Sequence, residues 1–330
     1  MPEALVHVIR GAVVEAVHYG DVAVVDHRGD LVFSRGNPEN ITYLRSAAKP
    51  LQAAAALLKS VDVKYDLDDE EVALLCSSHS GERSHIAIAE RVMAKLRLDP
   101  GDLKCDSSYP LNKDRMLEMI STGMDRSPVY NNCSGKHMAM LAICNLMGWD
   151  KETYYKPEHL LQQYLREVIG NFCGSERRSI LMACDGCGVP VHGMSARKMA
   201  GAYERLATAN FEDGQYQAAC RKVVRVMSNH PHVIAGSGRF DFILSEAFKG
   251  GLIAKTGAEG VFCVGIPDAQ IGIAVKIHDG SQRGMEAIVL RVLNIIDCLP
   301  DGPKAALMPL EEMDLHNHRN EKIGRIVPAF

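Results

Sequence analysis

The spacing of hydrophobic positions changes twice along this chain. Near the start, short runs rich in β-branched residues cover residues 6–9, 13–17, 22–25 and 31–33. Turn-forming residues separate them at Tyr19-Gly20-Asp21 and at residues 27–30. Similar runs return at residues 261–266 and 271–277, and short β-branched runs between turn residues are typical of strands. We therefore predict an N-terminal antiparallel meander that joins the late strands in one sheet.

From about residue 46 to residue 249, apolar positions mostly recur at helical spacing. A helix is predicted after Ser84, another opens at Pro157 and stops near Gly170, and residues 138–147 are apolar on nearly every side. The last of these segments should be a central buried helix. A final amphipathic helix is expected over residues 285–299, and the polar tail after Pro300 should lie along the surface.

These patterns predict one α/β (α+β) domain over residues 1–330. Its sheet part takes in about residues 1–45 and 250–330, and its helical part takes in about residues 46–249. An antiparallel sheet formed from both chain ends would pack on helices and carry an inserted helical subdomain.

Composition and charge narrow the class of protein. The 330 residues are 47% hydrophobic and 24% charged, which is ordinary for a globular enzyme. The formal net charge of -4 gives no electrostatic reason to expect nucleic acid as a partner. Glu3 and Arg10 interrupt the first ten residues, and no apolar stretch reaches membrane-spanning length. We expect a cytoplasmic protein without a membrane partner, whose ten cysteines are core thiols, metal ligands or nucleophiles.

The first candidate for chemistry is Ser46 with Lys49, at the start of an alanine-rich helix. An i, i+3 spacing puts both side chains on one helix face, and a serine nucleophile needs an adjacent base. Lysine is a base only when neutral. Lowering its pKa from about 10.4 to about 7.5 costs roughly 4 kcal/mol, which burial or a nearby cation must supply.

Two further segments carry hydroxyl and amine groups. Residues 77–82 form a small, serine-rich loop around Ser78, and Lys255-Thr256-Gly257 precedes the late strands. Serine acyl-transferases of the penicillin-recognising type combine S-x-x-K with a K-[ST]-G triplet on a strand beside the active site. The glycine-rich segment before residue 240 lacks a phosphate-loop setting, but its Arg239 and Asp241 are candidates for a polar pocket.

Thiols and polar residues cluster in two other segments, residues 131–137 and residues 184–190. By spacing, a tetrahedral zinc site would use Cys133, His137, Cys184 and Cys187. The alternative, that these are core thiols beside a polar helix start, stays open on spacing alone.

Taken together, five motifs resemble the Rhizobium-type (class 3) L-asparaginases. They are R-S-A-x-K-P at residues 45–50, S-S-H-S-G-E at residues 77–82, N-N-C-S-G-K-H at residues 131–137, D-G-C-G-V-P at residues 185–190 and K-x-G-A-E-G at residues 255–260. Their order matches the family across most of the chain. The resemblance implies a fold similar to serine β-lactamases and glutaminases, a homodimer, and hydrolysis of L-asparagine to L-aspartate and ammonia.

The resemblance also implies roles for single residues. Ser46 with Lys49 looks like one Ser–Lys tandem, and Ser78 with Lys255 looks like a second. The zinc ligands of the family fall on Cys133, Lys136 and Cys187, in place of the set that spacing suggests. For the substrate, Asp185 would receive the ammonium group and Arg45 or Arg239 the carboxylate, with His137 also among the binding residues.

The chemistry expected is attack by Ser46 on the side-chain amide, loss of ammonia to leave a β-aspartyl ester, and hydrolysis by water. Ser78 would relay a proton or, as an alternative, act as the nucleophile. One competing function is a glutaminase or another amide hydrolase of the same fold, since one methylene changes binding by only about 1 to 3 kcal/mol. Another is a zinc- or thiol-sensing protein without turnover, which would leave S-x-x-K and K-T-G unexplained.

Overall fold

The computed structural model describes residues 2–330. Within them lies an eight-stranded antiparallel sheet in the order β10-β11-β1-β2-β9-β8-β7, with β3 paired to β2. A smaller sheet has the order β4-β6-β5. The strands are β1 (Glu3–Arg10), β2 (Val13–Asp26), β3 (Leu31–Arg35), β4 (Ile41–Tyr43), β5 (Leu181–Cys184), β6 (Pro190–Ser195), β7 (Ile253–Gly257), β8 (Val261–Ile266), β9 (Ile271–Ile277), β10 (Met313–His316) and β11 (Lys322–Pro328).

The helices cover both faces of the large sheet. They are α1 (Lys49–Leu57), α2 (Val61–Lys64), α3 (Asp69–Cys76), α4 (Arg83–Leu96), α5 (Lys113–Ser121), α6 (Ser134–Met147), α7 (Leu160–Phe172), α8 (Ala196–Thr208), α9 (Gly214–Asn229), α10 (Pro231–Ile234), α11 (Phe240–Phe248), α12 (Met285–Ile295) and α13 (Asp301–Glu311). Short 3-10 turns, including one over Arg45–Ala48, connect some of these elements. No helix in residues 2–330 has the length and apolar character needed to cross a bilayer.

Alternation along β2 divides the core into two layers. Ala23 and Val25 pack with the helical part of the chain, whereas Val22 and Val24 pack with the layer that contains α12. Successive side chains of a strand point to opposite faces of the sheet. Alternate residues of β2 therefore pack against different layers, and both faces of the sheet are covered. The predicted fold class, an antiparallel sheet from both chain ends packed on helices, is confirmed.

The predicted turn at Tyr19-Gly20-Asp21 is wrong, because β2 runs through it without a break. A Cβ atom at Gly20 would lie 2.3 Å from the carbonyl oxygen of Lys276 on β9. Glycine therefore allows close approach of two strands here and does not mark a turn. The strands predicted from the late apolar runs are confirmed as β8 and β9.

Two other predictions differ from the structure, and a third is refined. The tail after Pro300 does lie mostly at the surface, but it is regular structure, since it forms α13 and then adds β10 and β11 to the large sheet. Helix α7 begins at Leu160, three residues after Pro157, and continues past Gly170. The helical part is also interrupted by the small sheet of β4, β5 and β6.

Two glycines bring distant elements into contact. A Cβ atom at Gly135, in the first turn of α6, would lie 2.1 Å from the carbonyl oxygen of Leu74 in α3. A Cβ atom at Gly257, at the end of β7, would lie 2.7 Å from the carbonyl oxygen of Leu44. The segments that carry the predicted site residues therefore converge where a larger residue would separate them.

Candidate active site

Ser78 lies between two lysine side chains at the junction of three segments. It follows α3, and its backbone N–H donates to the carbonyl oxygen of Ile234 at 2.8 Å. Its Oγ is 2.9 Å from Nζ of Lys49 and also 2.9 Å from Nζ of Lys255. The predicted proximity of Lys255 to Ser78 is thus confirmed, although the two residues are 177 positions apart in the sequence. Their catalytic roles stay predictions.

Both lysines are fully buried, and burial disfavours their charged forms. It lowers the pKa of Lys49, with Lys136 as a second lowering influence. It also lowers the pKa of Lys255 to about 7, against the carboxylate of Asp241, which raises it. A lysine with a pKa near 7 can exchange protons at neutral pH, as a general acid or base requires.

The hydroxyl of Ser78 can bond to both amines. Its oxygen has two lone pairs that can accept from both lysines, and its proton can instead be donated to a lysine that is neutral. Two ammonium groups at the same oxygen would also repel each other in a buried setting. We therefore expect at least one of the two lysines to be neutral.

Ser46 lies three residues before Lys49, in a turn that packs against β7. It is half-buried in the 3-10 turn before α1, and the Lys49 amine bonds to Ser78 and to the Asn132 carbonyl oxygen at 2.6 Å. No hydrogen bond joins the Ser46 and Lys49 side chains within residues 2–330, and the Ser46–Lys49 tandem stays a prediction. The preceding residue, Arg45, has a φ of 50°. Left-handed backbone at a residue other than glycine is strained and often occurs at functional sites.

The three residues that the family resemblance assigns to zinc lie together. Nζ of Lys136 donates to Sγ of Cys187 at 2.9 Å, and Sγ of Cys133 donates to Oδ1 of Asn132 at 3.4 Å. The neighbouring Cys187 thiol, together with Lys136 and Lys49, holds the pKa of Cys133 well below its usual value although burial opposes this. Although burial opposes it, the charge of the two sulfurs raises the pKa of Lys136.

Two residues that their spacing in the sequence predicted as zinc ligands, Cys184 and His137, have other partners in the structure. Cys184 is exposed, and its sulfur contacts the backbone oxygens of Asp185 and Gly188. His137 is buried, with Nδ1 2.5 Å from the Tyr154 hydroxyl. Within residues 2–330, no group of three His, Cys, Asp or Glu side chains is arranged to hold a metal. A site at Cys133 and Cys187 therefore needs the lysine as a donor.

The charged residues predicted for substrate binding are already engaged. Nε of Arg45 donates to Oδ1 of Asp185 at 2.9 Å, and Lys136 reaches the other carboxylate oxygen at 3.4 Å. Arg239 donates to the backbone oxygen of Ser78 at 3.1 Å. Burial raises the pKa of Asp185, but Lys136 and Arg45 outweigh it and keep the carboxyl ionised.

Asp241 is a member of this site for which the sequence indicated only a polar pocket. It is 2% exposed, and its Oδ2 lies 3.6 Å from Nζ of Lys255. One feature of the sequence does indicate this role: Asp241 is the one charged residue in the otherwise apolar run of residues 240–244. A carboxylate in such a run needs a buried partner.

Comparisons with known proteins identify one family and a set of distant structural neighbours. A family model described as L-asparaginase II matches residues 6–328. A solved structure of Mglu is 18% identical over 86% of this chain and 68% of the Mglu chain, with a TM-score of 0.40. A beta-lactamase from Mycobacterium bovis is 15% identical over 84% of this chain and 94% of that chain, with a TM-score of 0.45. No curated protein matches significantly.

Proposed function

Because the chain belongs to the L-asparaginase II family, we propose that it hydrolyses the side-chain amide of L-asparagine to L-aspartate and ammonia. The observation that carries this proposal is the Ser78 hydroxyl 2.9 Å from each of two buried lysine amines. Amide cleavage needs a base for the nucleophile and an acid for the departing ammonia. Two lysines of unequal charge supply both in one pocket without a histidine.

Ser46 is the proposed nucleophile, because it is more exposed than Ser78 and can meet a substrate. Its hydroxyl attacks the amide carbon, and its proton passes through Ser78 to the neutral lysine. The charged lysine then protonates the nitrogen as the C–N bond breaks, which releases ammonia and leaves a β-aspartyl ester on Ser46. Water attacks the ester, and the lysines return to their starting charges.

Arg45 and Asp185 are proposed to bind the amino-acid part of the substrate. Their side chains form an ion pair with a 2.9 Å contact, and a zwitterion presents the complementary carboxylate and ammonium groups. Arg239 is a second candidate for the carboxylate, since its guanidinium is only partly buried. His137 stays a proposed binding residue whose Nε2 has no partner in residues 2–330.

Zinc is proposed at Cys133, Lys136 and Cys187. Thiolates are ligands that zinc prefers, and the lysine amine can join them when it is deprotonated. Nζ of Lys136 already contacts Sγ of Cys187, and Cys133 is near enough to affect the pKa of both groups, so the donor set fits a compact ion. When bound, the ion would supply positive charge beside Lys49 and so favour the neutral form of that lysine.

Ammonia release is the direct test. Purified protein is assayed with L-asparagine and with L-glutamine, and the kcat/KM values are compared. Faster release from asparagine supports the proposal. Equal or greater activity on glutamine changes the substrate, and no release from either amide overturns the function. Light scattering on the same sample tests the homodimer that the family resemblance implies, and fractionation of cells tests the cytoplasmic location.

A further inference from the structure

A glycine-rich loop, residues 235–239, packs against the serine-rich loop that carries Ser78. The Ser80 hydroxyl donates to the carbonyl oxygen of Ala235 at 2.7 Å. A Cβ atom at Gly236 would lie 2.6 Å from Oγ of Ser80, so only glycine allows this close approach. The position of the 235–239 loop is therefore coupled to that of the residues around Ser78.

Glu82, the last residue of the serine-rich loop, binds the tip of the 235–239 loop. Its Oε1 accepts the backbone N–H of Ser237 at 2.8 Å, and its Oε2 accepts the Ser237 hydroxyl at 3.2 Å. Nε2 of His232 donates to the same Oε2 at 2.9 Å. Burial alone would raise the pKa of Glu82, but the Ser237 N–H and the neighbouring His232 outweigh it and lower this pKa. The side chain is therefore a carboxylate at neutral pH.

The tip of this loop would be flexible without such an anchor. Gly236 and Gly238 have φ angles of 108° and 73°, and Ser237 and Gly238 are exposed. Glycine loses more conformational freedom on ordering than any other residue, so a Gly-Ser-Gly tip needs compensating bonds. Within residues 2–330, the hydrogen bonds of Ser237 go to Glu82 and His232. Glu82 is thus the main anchor of the tip.

Arg239 ends this loop and lies beside Ser78. Its Nη1 donates to the carbonyl oxygen of Ser78 at 3.1 Å, and its closest carboxylate contact within residues 2–330 is with Asp241, at 4.0 Å. Arg45, by contrast, forms an ion pair with Asp185 at 2.9 Å. The charge of Arg239 is therefore the less compensated of the two. Since its side chain is also 26% exposed, Arg239 is the cation that is open to a substrate carboxylate.

Resting on the proposed amidohydrolase function, we infer that Glu82 is a positioning residue that acts through the 235–239 loop and holds Arg239 beside Ser78, where Arg239 binds the α-carboxylate of the substrate. Within residues 2–330, the Glu82 carboxylate bonds to the loop and to His232 rather than to Ser78 or either lysine, so its effect on the reaction is indirect. Its bonds fix the loop tip, and the tip fixes the backbone from which Arg239 extends. Such preorganisation strengthens binding, because the loop and the guanidinium are ordered before the substrate arrives.

The test compares kcat and KM for ammonia release from L-asparagine in wild type, Glu82→Gln, Arg239→Gln and the double variant. Glutamine at position 82 can still accept the Ser237 N–H, but its amide group donates where Oε2 of Glu82 accepts. We expect Glu82→Gln to raise KM by about tenfold and to change kcat by less than about threefold. The double variant should have the KM of Arg239→Gln, because a residue that acts through Arg239 has no effect once Arg239 is removed. Glu90→Gln, the same change at an exposed position of α4, should match wild type.

A folded Glu82→Gln protein with the KM of wild type would overturn the inference. So would effects on KM that multiply in the double variant, since Glu82 would then act independently of Arg239. Ser237→Ala removes one of the same bonds from the loop side and must also raise KM. If Glu82→Gln does not fold, Ser237→Ala takes its place in the comparison with Arg239→Gln.

Hydrogen exchange tests the anchoring of the loop without turnover. In mass spectrometry, the peptide that contains residues 235–239 should exchange at least about tenfold faster in Glu82→Gln than in wild type or Glu90→Gln. Unchanged exchange would overturn the inference, whatever the substrate is. Should wild type release no ammonia while exchange in Glu82→Gln is faster, the amide hydrolase proposal fails and the positioning of Arg239 by Glu82 stands.

Discussion

A Cβ atom at Gly257 would lie 2.7 Å from the carbonyl oxygen of Leu44. This contact presses the end of β7, which carries Lys255, against the segment that leads into Arg45 and Ser46. A methyl group there must displace one of the two segments, because backbone atoms cannot yield as a flexible side chain does.

Gly257→Ala should therefore weaken both stability and catalysis. We expect a loss of about 1–3 kcal/mol in unfolding free energy, as for other overpacked sites, and a lower kcat. Chemical denaturation and the ammonia assay measure the two effects. Gly201→Ala is the matched control, since no heavy atom lies within 4 Å of a Cβ atom at Gly201. Equal behaviour of the two variants would contradict the packing argument.

The two serines should differ in which one carries the acyl group. Ser46→Ala should fold and lose about four or more orders of magnitude in kcat, as the loss of a serine nucleophile does elsewhere. Ser78→Ala should lose about two or more, since it removes a proton relay. Acid quenching during turnover, followed by peptide mass spectrometry, locates the aspartyl ester. An adduct on Ser78 instead of Ser46 would reverse the two roles.

Metal content should depend on the buried thiols and not on the exposed one. Cys133→Ser and Cys187→Ser should lose zinc, whereas Cys184→Ser should keep the content of wild type, about one ion per chain. Elemental analysis of dialysed protein measures this. Chelation should raise KM more than it lowers kcat if the ion shapes the pocket and the serines supply the nucleophile. If the wild-type protein contains no metal, the zinc prediction is wrong, and the residues form a cluster of thiols instead.

Burial of Lys255 should make stability depend on pH. The pKa of Lys255 is about 7 in the folded protein, because of burial, and about 10.4 when unfolded. Between these values the unfolded chain binds one more proton, so this residue makes stability rise with pH, by up to about 1.4 kcal/mol per unit. Denaturation of wild type and Lys255→Met at pH 7, 8 and 9 isolates its contribution. A constant difference between the two proteins would refute it.

Much of the site could be predicted because its residues stand in motifs. The K-T-G triplet indicated a strand beside the active site, and Lys255 occupies β7 near Ser78. The S-x-x-K spacing was less informative. It places Ser46 and Lys49 on one turn, but it does not reveal that the Lys49 amine extends to a serine 29 positions later.

Contacts between distant segments account for the remaining errors. The segment around Gly20 contains residues that are common in turns. The close approach of β9 explains why Gly20 lies within a strand instead. The apolar residues of the tail are scattered among polar ones, yet Leu307 and Ile326 are buried because α13 packs near α12 and β11 pairs with β1. The partnership of Asp241 with Lys255 likewise depends on α11 lying beside β7.

Lys255 on β7 contacts Ser78, which also contacts Lys49, across most of the length of the chain. Contacts so far apart in sequence form late in folding, because closing long loops costs entropy before any contact is gained. A nascent chain that has not yet released β7 from the ribosome holds the first lysine and the serine but lacks the second lysine. We expect such a chain not to hydrolyse an amide, so catalytic competence should arise only after β7 has been synthesised and has packed beside Ser78.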